Sequence, residues 1–297
     1  MTAGPMKKVR GNYVKLATEI PDISTHDQAA ELPALPARVT VHSGFHSQFL
    51  RNDRDISVYV PPGYDEQPDR RFPVLYMHDG QNLFDPRTSF IPGRTWRVAE
   101  NADAAIEAGE VEPLIVVGIA NTGEHRLAEY TPVRDRKLGG GETDIYGRLI
   151  TEELIPFIRA NYRTLEGPEH TGLGGSSLGG LVTLYLGLKF SEMFGQLAVL
   201  SPSVWWSQKN IISYVNEAKP VRRPRIWMDI GDAEGLPAIA DADLLEMRLR
   251  ARGWRPNIDL HYERIAGGKH DEASWAERVR PMLRFLFPSA RWTKPQF

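Results

Sequence analysis

The run Gly175-Ser176-Ser177-Leu178-Gly179-Gly180 constrains this chain more than any other six residues. It fits Gly-x-Ser-x-Gly with Ser177 at its centre. The glycines two before and two after the serine suit a backbone that must turn sharply and pack tightly. Upstream, Thr171–Leu173 can form a short buried strand. Downstream, Leu181, Leu184, Tyr185 and Leu188 recur at helical spacing. The segment therefore predicts a strand, a strained turn that holds the serine hydroxyl out, and a helix. Short Gly/Ser patterns recur by chance, so the specificity comes from the flanks. As a nucleotide cradle the same loop fails twice. No lysine follows it in P-loop fashion, and Ser177 stands where Gly-x-Gly-x-x-Gly needs its third glycine.

The rest of the chain supplies a frame for that turn. Residues 1–36 lack periodicity and read as an irregular arm, with one helical turn near Asp27–Leu32. Ala37–Val41 alternates, as does Asp55–Val60, which Pro61-Pro62-Gly63 ends, so the two predict a hairpin-like pair. Phe72–Met77 and Leu114–Ile119 are continuous apolar runs of the kind buried on both faces of a parallel sheet. Ile145, Leu149, Ile150, Leu154, Ile155, Phe157 and Ile158 mark an amphipathic helix that Thr143 or Asp144 can cap. Strands are expected at Gln196–Leu200, Arg225–Ile230 and Asn257–Ile265, and helices at Ala240–Arg252 and Glu272–Phe287, the last kinked or restarted at Pro281. Strands alternating with helices predict an α/β fold: a mostly parallel twisted sheet of about eight strands, covered by helices on both faces, in a single domain over residues 37–290. Residues 120–143, with three consecutive glycines, form a long connection placed to cover a site.

Composition narrows the function classes. The 36 Lys and Arg nearly balance 38 Asp and Glu, so the composition implies no basic field for nucleic acid, a local patch aside. The chain has no cysteine, which excludes disulfides, thiol catalysis and cysteine metal sites. No apolar run approaches a membrane span. Lys7, Lys8 and Arg10 are followed by no apolar stretch, so no secretory signal is expected in these residues; a cytoplasmic location is expected, with secretion of a processed form left open. His42 and His46 have metal-like spacing but no third ligand nearby, so no metal is assigned.

A serine hydroxyl is a weak nucleophile that needs a general base, and the base needs an orienting acid. The strand–serine–helix turn is similar to that of α/β-hydrolases, where serine, acid and histidine follow in chain order. Of eight histidines, only His261 and His270 follow Ser177. His261 lies inside a strand and reads as a packed or surface strand residue. His270 lies in Ala266-Gly267-Gly268-Lys269-His270, a glycine loop between the last strand and the last helix, where a base belongs. The strand ending at Ile230 runs into Gly231–Gly235, which offers Asp232 and Glu234 as acids. Asp229, within the strand end, is a weaker candidate. The oxyanion donors expected are the N–H of Leu178, after the serine, and one from the loop His78–Phe84, where Gly80 lets the N–H of Gln81 turn inward.

Several further segments carry a family resemblance: Val58–Tyr64, Pro73–Phe84, Glu129–Pro132, Gly174–Gly180, Ser201–Trp206 and Lys269–Trp275. Together they resemble the putative-esterase branch of the α/β-hydrolases, which includes esterase D-like, feruloyl-esterase-like and enterochelin-esterase-like enzymes. The resemblance spans about residues 38–287. It implies a cofactor-free serine carboxylesterase working through an acyl-enzyme, with Ser177 as nucleophile and His270 as base. It places the acid three residues after Gly231, at Glu234, with Asp232 as the alternative. Trp205 and Trp206 are candidates for an aromatic wall beside Ser177, and Arg126 and Tyr130 for contacts to a polar substrate. The expected partner is a small-molecule ester, with no nucleic acid and no membrane. Feruloyl, acetyl-sugar and siderophore esters stay open as specialised substrates. A non-catalytic binding protein on a hydrolase fold stays open as a different class.

Overall fold

The computed structural model describes residues 32–290. Residues 1–31 of the expected arm, and its helical turn but for Leu32, lie outside them. In chain order the elements are β1 (Val39–His46), β2 (Asp53–Tyr59), β3 (Val74–His78), α1 (Val98–Glu107), β4 (Ile115–Ile119), α2 (Arg126–Glu129), α3 (Thr143–Arg148), α4 (Ile155–Asn161), β5 (Thr171–Ser176), α5 (Leu178–Lys189), β6 (Gln196–Leu200), α6 (Trp206–Glu217), β7 (Arg225–Gly231), α7 (Leu236–Ala251), β8 (Leu260–Ile265) and α8 (Glu272–Leu286). No helix among the described residues is long and apolar enough to cross a membrane.

The eight strands form one sheet in the order β1-β2-β4-β3-β5-β6-β7-β8. β2 pairs antiparallel with β1 and β4, and every other pairing is parallel. The period-two alternation of strand side chains sorts the core into two layers. Val74, Tyr76, Leu173, Leu197 and Val199 pack with residues of α3 to α7, including Leu181, Leu184, Ile211 and Leu245. Leu75, Met77, Val116, Ala198 and Leu200 pack with Ala102 of α1 and Val279, Met282 and Leu283 of α8. Each fully buried aliphatic side chain contributes about 1.5–3 kcal/mol, so both layers are needed to hold the central strands. The α/β-hydrolase architecture expected from the sequence is the one present.

Four local expectations are corrected. The helix expected over 145–158 opens at Thr143 and carries a π-helical stretch at Leu149–Leu154 between α3 and α4. Neither Thr143 nor Asp144 caps it. Glu142 holds the N-cap position, and the Thr143 hydroxyl donates to the Glu129 carbonyl at 2.9 Å. α8 runs unbroken through Pro281, because packing against α1 and the sheet outweighs the lost backbone bond. β8 starts at Leu260, not Asn257, whose φ of 60° is left-handed. α1 and α6 had no counterpart in the sequence reading. α6 opens with Ser207, Gln208 and Lys209 all at positive φ, a left-handed turn that hides its period.

Parallel strands place their C-terminal ends along one edge, where ligands bind in such sheets. Ser176 pairs with Leu200, Leu200 with Asp229, and Gly231 with Ile265. The loops carrying Ser177, Ser201, Glu234 and His270 therefore leave the sheet side by side.

Candidate active site

Ser177 has φ 59° and ψ −122°, a left-handed conformation between β5 and α5. Its N–H donates to the Leu200 carbonyl at 3.1 Å, and its carbonyl accepts from the Ser203 N–H at 3.0 Å. Such strain persists where the surroundings over-determine it. The glycines show how: a Cβ on Gly180 would lie 2.8 Å from the Leu200 carbonyl oxygen, and one on Gly175 3.1 Å from the Gly179 backbone and from His78 Cβ. A side chain at Gly180 would force the Leu200 backbone to shift, and one at Gly175 would have to push its neighbours aside by a few tenths of an ångström. It leaves the Ser177 hydroxyl 3.3 Å from that of Ser203.

The expected acid and base lie on the neighbouring loops. His270 Nδ1 is 2.6 Å from Glu234 Oε2. An ionised carboxylate only accepts, so Nδ1 carries the proton and Nε2 is the basic nitrogen. Glu234 Oε1 accepts from the Gly231 N–H at 2.9 Å and from the Ser201 hydroxyl at 2.6 Å. Burial pushes the Glu234 carboxyl up, but the bond and charge of His270, with the Ser201 and Gly231 donors, outweigh it and hold the group below its ordinary value. Asp232 instead accepts from the Gly267 N–H at 2.7 Å and so fastens the loop that leads to His270. Asp229 is fully buried in β7, takes the Trp227 indole N–H at 2.8 Å and Arg278 at 2.7 Å, and makes no bond to His270. Among the described residues no hydrogen bond joins Ser177 to His270. Bonds of this kind are commonly long before substrate arrives.

The opposite wall is built on β3. Asp79 follows it in a left-handed conformation, φ 56°. Its buried carboxylate takes both Nε and Nη2 of Arg126 at 2.7 Å and the Asn121 amide at 2.7 Å. Burial pushes Asp79 up, and Arg126 more than reverses it, leaving the carboxyl below its usual range. Gln81 sits in the short 3₁₀ turn Gly80–Asn82, and its side-chain oxygen accepts from the Asn121 N–H at 3.1 Å. A Cβ on Gly80 would come within 2.4 Å of the Gly118 backbone, so glycine lets this turn lie down on β4. Leu178 opens α5, where free N–H groups and the helix dipole favour negative charge.

The four expected substrate contacts separate. Tyr130 is fully buried, and its hydroxyl accepts from the Asp79 N–H at 3.0 Å. It is a support of the β3 loop and not a lining residue. Trp206 is 1% exposed and donates from its indole to the Val133 carbonyl at 2.9 Å, so it packs the connection 120–143 against α6. Trp205 is half-buried beside it, two residues from Ser203. Arg126 retains 27% side-chain exposure but is committed to Asp79. His42 bonds Tyr162 at 2.7 Å and His46 bonds Asp53 at 2.6 Å, while His261 stacks on Trp227 at 4.2 Å. Ser201, Ser203, Asp79 and Arg278 were given no role by sequence. The quoted segments Ser201–Trp206 and Pro73–Phe84 contain three of them, but nothing in a sequence marks which serine or aspartate turns inward.

Comparison with known proteins agrees with this architecture. Residues 47–286 match the family described as Putative esterase. The iron(III) salmochelin esterase of Escherichia coli O6:H1 is 28% identical over 86% of this chain, which spans 63% of that protein. The Bacillus subtilis protein YbbA is 30% identical over 65% of this chain and 73% of its own length. Among solved structures, the BES protein from Bacillus cereus superposes with a TM-score of 0.68 at 22% identity, covering 88% of this chain and 99% of that one. A ferulic acid esterase superposes with a TM-score of 0.66 at 20% identity, covering 84% and 97%. With 240 consecutive residues matched and the site-bearing strands inside them, the chain belongs to the Putative esterase family and is a hydrolase of ester bonds.

Proposed function

We propose that the chain is a serine carboxylesterase working through an acyl-enzyme, and that Ser177, His270 and Glu234 form its triad. The observation that carries this is the 2.6 Å contact of His270 with Glu234 on loops adjacent to the strained Ser177 turn. Ser177 Oγ attacks the ester carbonyl as His270 Nε2 takes its proton. Glu234 keeps the imidazole in the required tautomer and stabilises the imidazolium. The oxyanion is held by the N–H groups of Leu178 and Gln81. His270 returns the proton to the leaving alcohol, and water repeats the sequence to release the acid. Asp232 is not the acid in this reading, because its carboxylate is spent on Gly267.

The substrate is a small-molecule ester. The half-buried Trp205 favours an aromatic or other apolar group on that ester, in keeping with relatives named feruloyl esterase and iron(III) enterobactin esterase. A fluorophosphonate probe tests the reaction class. It should label the wild type at the Ser177 peptide and leave Ser177→Ala untouched. An intact protein inert to the probe would mark a binding protein on this fold.

A further inference from the structure

The Ser201 hydroxyl has its three hydrogen-bonding directions filled by named partners. Trp275 Nε1 lies 3.1 Å away and Arg278 Nη1 2.8 Å away. Indole and guanidinium nitrogens only donate, so both must point hydrogens at the Ser201 oxygen. A hydroxyl has two acceptor sites and one proton. The two donors use the acceptor sites, and the proton can go only to the third neighbour, Glu234 Oε1, at 2.6 Å. Its direction is thereby fixed by chemistry, not by rotamer choice.

The donors are themselves held rigidly. Arg278 is 1% exposed. Its Nη1 also donates to the buried Asp229 at 2.7 Å, and its Nη2 donates to the Lys269 carbonyl at 3.1 Å and to the Ser274 hydroxyl at 3.0 Å. One guanidinium thus ties β7, Ser201 and the residue before His270 together, and its Nη2 stands 3.6 Å from Glu234 Oε1 as an ion pair that substitution at Ser201 leaves in place. The Glu272 carboxyl at the start of α8 also feels the His270 charge. Ser201 itself holds φ 41°, a strained conformation for a serine. The Trp275 ring meets the His270 ring edge-on at 5.0 Å.

Resting on the triad reading above, we infer that Ser201 is a positioning residue for the esterase reaction: its hydroxyl, aimed by Trp275 and Arg278, fixes the Glu234 carboxylate and sets the proton affinity of the Glu234–His270 pair. A donor on Oε1 withdraws charge from the carboxylate and leaves Oε2 for the imidazole. Without it the carboxylate is more basic and holds the imidazolium proton more tightly. The base form of the pair is then reached only at higher pH.

The test compares Ser201→Ala and Ser201→Gly with the wild type and Ser177→Ala, on p-nitrophenyl butyrate from pH 5 to 9. Glycine suits the positive φ, so Ser201→Gly removes the hydroxyl while relieving the backbone. We expect kcat to fall about 10–100-fold, by analogy with the loss when the hydrogen-bond partner that orients a metal-ligating side chain is removed. KM should change little, and the acid limb of kcat/KM should move to higher pH. A merely structural serine would lower the melting temperature without moving that limb. If Ser177→Ala is dead and the wild type shows its acid limb, but folded Ser201→Gly keeps wild-type kcat and limb, the positioning role is wrong and the triad survives. If Ser177→Ala turns over like the wild type, the triad fails and takes this role with it.

Discussion

His270 and Glu234 meet at 2.6 Å although 36 positions separate them, because β7 and β8 are parallel neighbours whose C-terminal loops emerge together. The neighbouring acid, Asp232, is turned toward the Gly267 N–H instead. Glu234→Gln should therefore lower kcat by about 10²–10⁴-fold, the range for disabling general acid–base function. Asp232→Asn keeps an acceptor for Gly267 and should stay within a few-fold of wild type. Steady-state kinetics on both variants check this, and the reverse ranking would move the acid to Asp232.

His78 lies under the serine turn, and burial pushes its imidazole down to about 3. Its Nδ1 bonds the Tyr146 hydroxyl at 2.8 Å, and its Nε2 is buried without a partner, as suits a neutral ring. The folded-state value is depressed below the ordinary 6.5 or so, so the unfolded chain takes the proton first as pH falls. Stability should drain from about pH 6.5 downward at about 1.4 kcal/mol per pH unit, down to the folded-state value. Urea unfolding between pH 4 and 6.5 reads that slope. His78→Gln should flatten it by the same amount, and an unchanged slope would show that other groups carry it.

Arg54 and Glu129 form a bidentate pair at 2.8 and 3.0 Å, with side chains 0% and 1% exposed. The pair joins β2 to the connection that carries Arg126 and Tyr130. Removing one partner leaves an uncompensated buried charge, so Arg54→Met should cost about 3–5 kcal/mol of stability. The double variant Arg54→Met/Glu129→Leu should recover most of it. Chemical denaturation of both separates the charge penalty from lost packing, and a double variant no more stable than the single would refute it.

The sheet was legible in the sequence because its central strands are buried on both faces and therefore apolar throughout, as in Leu114–Ile119. α1 was not read, although Val98, Ala102 and Ala105 recur at helical spacing, because its buried face is mostly alanine and lacks the large apolar side chains that mark a core helix. α6 was hidden by the left-handed turn at its start. The proposed serine, histidine and acid stand on loops that the strand order brings side by side, which is why their order along the chain pointed to them. Ser201 and Arg278 were not readable. The hydroxyl gains its meaning only where β6, β7 and α8 converge, and Arg278 reads in sequence as one more helix arginine. Trp206 and Tyr130 misled for the related reason that an aromatic in a loop near the site has the same local signature whether it lines the pocket or packs beneath it.

The most direct test of the account is hydrolysis of p-nitrophenyl acetate and butyrate by the wild type beside Ser177→Ala, with the fold of both checked by circular dichroism. The wild type should turn over both esters, and Ser177→Ala should fall to the background rate. Equal turnover by both proteins would contradict it, and would remove Ser177 from the chemistry.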